Sequence, residues 1–296
     1  MITRPIVVGA DGSEQSLRAV EWAASEAERR RLPLRIVSVP AMPPGMRANE
    51  PAATVANALR KIAGRALGTA VTRAEQIAPG LLIATDLLSG PPAPAVAAAG
   101  SGASMLVVGA RGTGGFAAMV LGSVSRYAAI HAPCPVVVVR EETTGLHREV
   151  IVGIHDPENT GHVLEFAFQE AALRDAELVA VHAWVAAALP IPVGAGGAAG
   201  QADLAEISAA AASQLTSTLS GWQDKYPDVR VRQNVVNGHP ALVLCGYSAS
   251  ADLVVLGRHG APDGTVHGTG SILYTVLNHA CGPIAVVPVP REGPIP

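Results

Sequence analysis

The chain has 296 residues, 49% of them hydrophobic, 15% charged and 3% aromatic, with a mean hydropathy of +0.32 and a net charge of −3. Disorder, which needs low hydrophobicity and high net charge, is excluded, and the slightly acidic balance argues against a general nucleic-acid binder. At about 150 residues per domain the length suggests two domains. Three cysteines without a CxxC pair argue against a disulfide framework or structural zinc and suit a reducing cytoplasm.

In chain order, apolar runs at residues 6–10, 34–39, 81–85, 105–109 and 136–139 predict strands. They are continuous rather than alternating, as in strands buried on both faces of a parallel sheet. Residues 14–31, 52–77, 94–100 and 123–131 lie between them and predict helices. The first sets Leu17, Val20, Ala24 and Ala27 at helical spacing. Strands alternating with helices define an α/β fold with right-handed crossovers. Three stretches lack Asp, Glu, Lys and Arg: residues 87–110, 178–202 and 264–290. Each is interrupted by Pro or Gly, so they are read as buried strands and loops, not membrane spans. The N-terminus has no basic region leading into a long apolar core, so no signal peptide is expected.

The pattern then repeats. Val8-Gly9 recurs as Val152-Gly153, Val107-Val108-Gly109 as Val255-Leu256-Gly257, and Ala132-Pro133-Cys134-Pro135 as Ala280-Cys281-Gly282-Pro283. The first landmark is offset by 144 residues and the later ones by 148, so the second copy carries about four extra residues. The Gly-rich stretch 194–200 is a plausible place for them. The expected division is a first domain at 1–140, a linker at 141–148 and a second domain at 149–296.

In both copies the loop after the fourth strand has the spacing G-x2-G-x9-G-S, ending at Gly122-Ser123 and Gly270-Ser271. Glycine lets backbone approach an anion closely and adopt positive φ. Gly-Ser at a helix start offers N–H groups, a hydroxyl and the positive end of the helix dipole. These features suit a polyphosphate. In an α/β fold they would lie beyond the carboxyl ends of the strands, where ligands bind.

With Val8-Gly9-Ala10-Asp11-Gly12-Ser13, both glycine loops and His131-Ala132-Pro133-Cys134-Pro135 followed by four valines, the chain resembles the universal stress protein family in its tandem, ATP-binding form. The resemblance implies two Rossmann-like domains of the adenine nucleotide alpha hydrolase type. Each has a five-stranded, mainly parallel sheet ordered 3-2-1-4-5. It places Gly9 and Asp11 beside the nucleoside, with Asp11 towards the ribose, and Val39 against adenine through its backbone. Gly109, Ala110, Arg111, Gly112, Thr113, Gly114, Gly115, Gly122, Ser123 and Val124 would hold the phosphates of ATP; read from the residues alone, Asp11 offers one carboxylate towards Mg²⁺, thin support for a metal. The tandem domains would pack about a pseudo-twofold axis, and the chain would form a homodimer.

The second copy departs from this pattern. Its corresponding positions are Gly153, His155, Ala183, Gly257, Arg258, His259, Gly260, Asp263, Gly270 and Ser271. His155 stands in place of Asp11, and neutral imidazole accepts at one nitrogen only. Asp263 would repel phosphate. Seven of the nine histidines fall in this half, without an HxH or HxxxH spacing for a metal. The second site is therefore expected to bind nucleotide more weakly, with affinity falling as pH rises through the histidine range. Residues 1–148 carry 15 Lys and Arg against 10 Asp and Glu; residues 149–296 carry 6 against 14. Asp-Gly-Ser can also serve as a turn, Ser123 as a cap and Arg111 as a solvated charge. Trp22, Trp184 and Trp222 are read as core or interface residues, and Cys134 as a small buried hydrophobe.

Neither loop contains Lys, and GxxxxGK[ST] is absent. The site looks built to hold ATP more than to cleave it. The leading expectation is a cytoplasmic protein whose ATP occupancy shifts conformation, dimerisation or partner binding, with no membrane or nucleic-acid role. A slow ATPase or phosphoryl- or nucleotidyl-transfer enzyme is one alternative. A dimerisation scaffold with a vestigial second site is another.

Overall fold

The computed structural model describes residues 4–41, 52–112, 121–140, 146–155, 160–185, 198–258 and 269–289. They fall into two compact units, the first holding those up to residue 140 and the second those from residue 146. The expected linker at 141–148 lies partly outside the described residues.

The first unit runs β1 (Ile6–Gly9), α1 (Glu14–Arg30), β2 (Leu34–Ser38), α2 (Ala52–Ile77), β3 (Ile83–Leu87), α3 (Pro92–Ala99), β4 (Met105–Gly109), α4 (Ser123–His131) and β5 (Val136–Val139). Its strands pair in the order β3-β2-β1-β4-β5, all parallel. The second unit runs β6 (Glu149–Gly153), α5 (Gly161–Arg174), β7 (Glu177–Trp184), α6 (Ala198–Lys225), β8 (Val231–Asn237), α7 (Pro240–Tyr247), β9 (Leu253–Arg258), α8 (Thr269–His279) and β10 (Ile284–Pro288). Its order is β8-β7-β6-β9-β10, again all parallel. Both units thus have the 3-2-1-4-5 arrangement.

The cores follow from the uncharged strands. Ile6, Leu34, Ile36, Met105 and Leu106 are fully buried in the first unit; Ile151, Leu178 and Leu253 are so in the second. Each such side chain is worth about 1.5–3 kcal/mol of apolar burial. Helix α1 lays Leu17, Val20, Ala24 and Ala27 onto its sheet, the face its spacing predicts. Ser13 caps it by accepting a hydrogen bond from the Ser16 N–H, and Arg31 ends it in the left-handed region with φ 54°. Charged pairs tie neighbouring strands together. Arg35 on β2 meets Asp86 on β3 at 2.6 Å, and Arg232 on β8 bonds Glu177 on β7 at 3.0 Å and Glu149 on β6 at 2.6 Å. The hydrogen bond that Arg232 donates to Glu177 is the largest influence holding the Arg232 pKa above its ordinary value.

Beyond one-residue differences at the ends of β1 and α1, three elements differ from the sequence expectation. β3 spans residues 83–87 rather than 81–85, because Leu34 pairs with Ile83 and donates its N–H to the Leu82 carbonyl, fixing the register two residues later. α3 starts at Pro92, since proline has no N–H to lose in a first turn. β2 ends at Ser38, leaving Val39 just beyond it, whereas its counterpart Ala183 lies inside β7. Trp22, Trp184 and Trp222 are half-buried rather than core, with the Trp222 ring stacked beside Phe168. Cys134 is buried, as its apolar reading implies.

Candidate functional site

In the first unit the strand order reverses between β1 and β4, which pair directly with Val8 opposite Val107. Loops leaving two such neighbours on opposite sides of the sheet open a crevice at their carboxyl ends. β1 delivers Gly9, Ala10 and Asp11 to this crevice, and β4 delivers Gly109, Ala110, Arg111 and Gly112.

The β1 end is held by its own turn. Ala10 donates to the Val37 carbonyl at 2.8 Å, extending the β1–β2 pairing by one bond. Asp11 Oδ1 accepts from the Ser13 N–H at 3.0 Å and its hydroxyl at 2.6 Å. The Asp11 N–H donates to Ser16 Oγ at 3.3 Å. Gly12 lies between at φ +84°, a conformation that disfavours a side chain. The turn reading and the site reading of Asp-Gly-Ser therefore hold together: the turn orients an exposed carboxylate at the mouth of the crevice.

The β4 end approaches by backbone. A Cβ on Gly109 would stand 2.6 Å from the Gln15 carbonyl oxygen, and one on Gly112 would collide with Asp11 Oδ2. Chain segments about a hundred residues apart are thereby brought to one point. Gly122 returns the loop, donating its N–H to the Ala110 carbonyl at 2.7 Å and serving as N-cap of α4. The first residues of that helix are Ser123, exposed, and Val124, half-buried. Their N–H groups lie in the first turn, where an α-helix leaves donors unpaired and the dipole is positive. Ser125 Oγ donates to the Gly109 carbonyl at 2.5 Å, tying α4 to the end of β4. Arg111 is half-buried beside Gly112, and Val39 is half-buried past the end of β2. Thr113, Gly114 and Gly115 lie outside the described residues.

The second unit has the same crevice with different walls. Ile154 donates to the Val181 carbonyl at 2.9 Å, as Ala10 does to Val37. His155 is exposed, and His182 Nδ1 lies 3.0 Å from the Ile154 carbonyl. Gly153 and Gly257 end or nearly end their strands, followed in β9 by Arg258. A cleft of about 50 Å³ opens here between β6, β7, β9, α5, α7 and α8. Gly153, His155, Ala183 and Gly257 line it; Arg258 does not. Helix α8 starts at Thr269, so Gly270 and Ser271 lie inside its first turn, two residues further in than Gly122 and Ser123 at α4. His259, Gly260 and Asp263 lie outside the described residues. Sequence reasoning named Gly153, His155, Ala183 and Gly257 and missed the lining residues Thr160, Leu244, Leu256, Ile272 and Leu273. Their signal lay in position-by-position volume differences between the two repeats. Among the described residues no cluster of three His, Cys, Asp or Glu side chains could hold a metal. None of their helices is long and apolar enough to cross a membrane.

The crevice of the first unit thus combines close backbone approach at Gly109 and Gly112, a helix N-terminus and one carboxylate. The chain matches the universal stress protein family model twice, over residues 3–140 and 147–288, and it belongs to that family. It is 34% identical to the universal stress protein Rv1996 of Mycobacterium tuberculosis, with 98% of this chain and 97% of that protein covered. The universal stress protein Rv2005c of the same organism is 35% identical, with coverage of 95% and 96%. A solved universal stress protein from Archaeoglobus fulgidus shares the fold at a TM-score of 0.69 and 16% identity, covering 97% of this chain and 99% of that one.

Proposed function

We propose that the first unit binds ATP and that its occupancy shifts the conformation, self-association or partner binding of a cytoplasmic homodimer. In this reading Asp11 accepts hydrogen bonds from the ribose hydroxyls, and the backbone at Val39 reads adenine. Gly109, Ala110, Arg111, Gly112, Gly122, Ser123 and Val124, with the loop residues Thr113, Gly114 and Gly115, surround the phosphates. The observation that carries it is the meeting of Gly112 with the Asp11 carboxylate at the β1–β4 crossing. One end of a ligand there faces an acceptor suited to hydroxyls, and the other faces backbone donors suited to phosphate. Gly112 fits this role because a side chain there would meet Asp11 and occupy the approach. With Mg²⁺ bound, Asp11 would be the nearby carboxylate, and the metal would neutralise phosphate charge.

Regulation follows from linkage, since a ligand stabilises the state that binds it and no other device is needed. The test is to denature freshly purified protein and identify released nucleotide. Intact ATP is the expected result. ADP formed with turnover under excess ATP would support an enzyme instead, and absence of any nucleotide together with no binding on titration would refute the proposal.

A further inference from the structure

The two units differ where the helix after the third strand meets the loop before the last strand. Ala97, Gly100, Pro133 and Cys134 of the first unit correspond to Cys245, Ser248, Cys281 and Gly282 of the second. The second unit thereby lacks the buried thiol of Cys134 and carries two others. Cys245 is half-buried on α7, and Cys281 is exposed between α8 and β10. Both thiols are reduced in the structure.

One oxygen holds the two cysteines beside each other. The fully buried Ser248 hydroxyl donates to the Cys245 carbonyl at 2.6 Å and accepts from the Cys281 N–H at 2.9 Å. Helices α7 and α8 pack together next to this point. Disulfide-linked cysteines have Cα atoms about 4.4–6.8 Å apart. Two hydrogen bonds meeting at one oxygen set the backbones of Cys245 and Cys281 close to that separation. Side-chain rotation and a small shift of the α8–β10 loop then bring the sulfurs together.

We infer that Cys245 and Cys281 form a peroxide-sensitive disulfide, with Cys281 as the thiol attacked first and Cys245 as its resolving partner. The exposed Cys281 thiolate attacks one oxygen of hydrogen peroxide; an S–O bond forms, the O–O bond breaks and hydroxide leaves, giving a sulfenic acid. The Cys245 thiolate attacks that sulfur; the S–S bond forms, the S–O bond breaks and a second hydroxide leaves. The two thiol protons turn both hydroxides into water, and peroxide takes up the two electrons that the thiols lose. A disulfide of this kind is transient in a reducing compartment, where a structural one would not persist. It ties α7 to the end of α8, the helices that bring Leu244 and Leu273 to the second unit's cleft. The inference goes beyond the nucleotide reading and does not depend on it, since no step uses the first unit's crevice.

The test treats the reduced full chain with hydrogen peroxide and maps its thiols by alkylation and peptide mass spectrometry. The expected result is loss of two of the three thiols, with one linked Cys245–Cys281 peptide within a single chain. Dithiothreitol should reverse it, and Cys134 should remain reduced. Cys245→Ala, which installs the first unit's residue, should abolish the disulfide and leave Cys281 as a sulfenic acid that dimedone traps. The melting temperature of this variant reports that it is folded. Both thiols left reduced, a disulfide to Cys134 or between two chains, Cys281 oxidised in the wild type with Cys245 still reduced, or no dimedone adduct in folded Cys245→Ala would each overturn the inference.

Discussion

Gly109 and Gly112 sit a few residues apart and do different work. Gly109 faces the backbone of the first turn of α1, which cannot yield. Gly109→Ala should therefore destabilise the unit by about 1–3 kcal/mol, the usual penalty for overpacking, visible as a lower melting temperature before any ligand is added. Gly112 faces the end of a side chain, Asp11, on an exposed turn. Gly112→Ala should leave melting nearly unchanged and weaken ATP, because the new methyl pushes Asp11 out of place. A variant as unstable as Gly109→Ala would show that this contact belongs to the core and not to the site. Asp11→Ala removes the proposed acceptor for the ribose together with the turn bonds to Ser13. It should weaken ATP by about ten-fold, at about 1.4 kcal/mol per decade, measured by calorimetry.

At the scale of elements, the repeats solve the same packing problem in two ways. After α3 the chain uses Gly100, where a Cβ would stand 2.8 Å from Cys134 Sγ. After α7 it uses Ser248, whose buried hydroxyl donates to the Cys245 carbonyl at 2.6 Å and accepts from the Cys281 N–H at 2.9 Å. There the position matched to Cys134 is Gly282. Gly100→Ser alone should collide with Cys134 and lower the melting temperature. Adding Cys134→Gly recreates the second unit's pairing and should recover part of the loss, giving a non-additive cycle. Additive losses would mean that the two positions do not share one space.

The elements were largely legible in the sequence, because uncharged continuous runs bounded by turn residues define buried parallel strands. The exceptions are instructive. β3 lies at the end of the first unit's strand order and has exposed residues, so its register is set by pairing with β2 and not by its own hydrophobicity. The buried glutamates Glu26 and Glu170 also went unread. Each sits on the sheet-facing side of its helix and is paired with an arginine four residues on, Arg30 and Arg174. The spacing is an ordinary helical ion pair, and only packing reveals that it is buried. The first site was legible because its glycines are needed for backbone reasons wherever they occur. The second unit's cleft was not, because its character comes from small volume changes contributed by several separate elements.

For the whole molecule, duplication has kept the topology, with both units ordering their strands 3-2-1-4-5. His155 in place of Asp11 keeps the expectation that a second nucleotide site binds more weakly than the first. ATP at one hundred times its dissociation constant should stabilise the first unit by about 2.7 kcal/mol. The melting profile should then separate into an ATP-shifted part and a part that ATP leaves in place, if the two units unfold independently.

The most direct measurement is a calorimetric titration of ATP into the full-length chain and into Gly112→Ala. One equivalent of ATP per chain, strongly weakened by the substitution in a protein that still melts as wild type, is the result predicted here. An affinity unchanged in Gly112→Ala would contradict the placement of ATP at the crossing of β1 and β4.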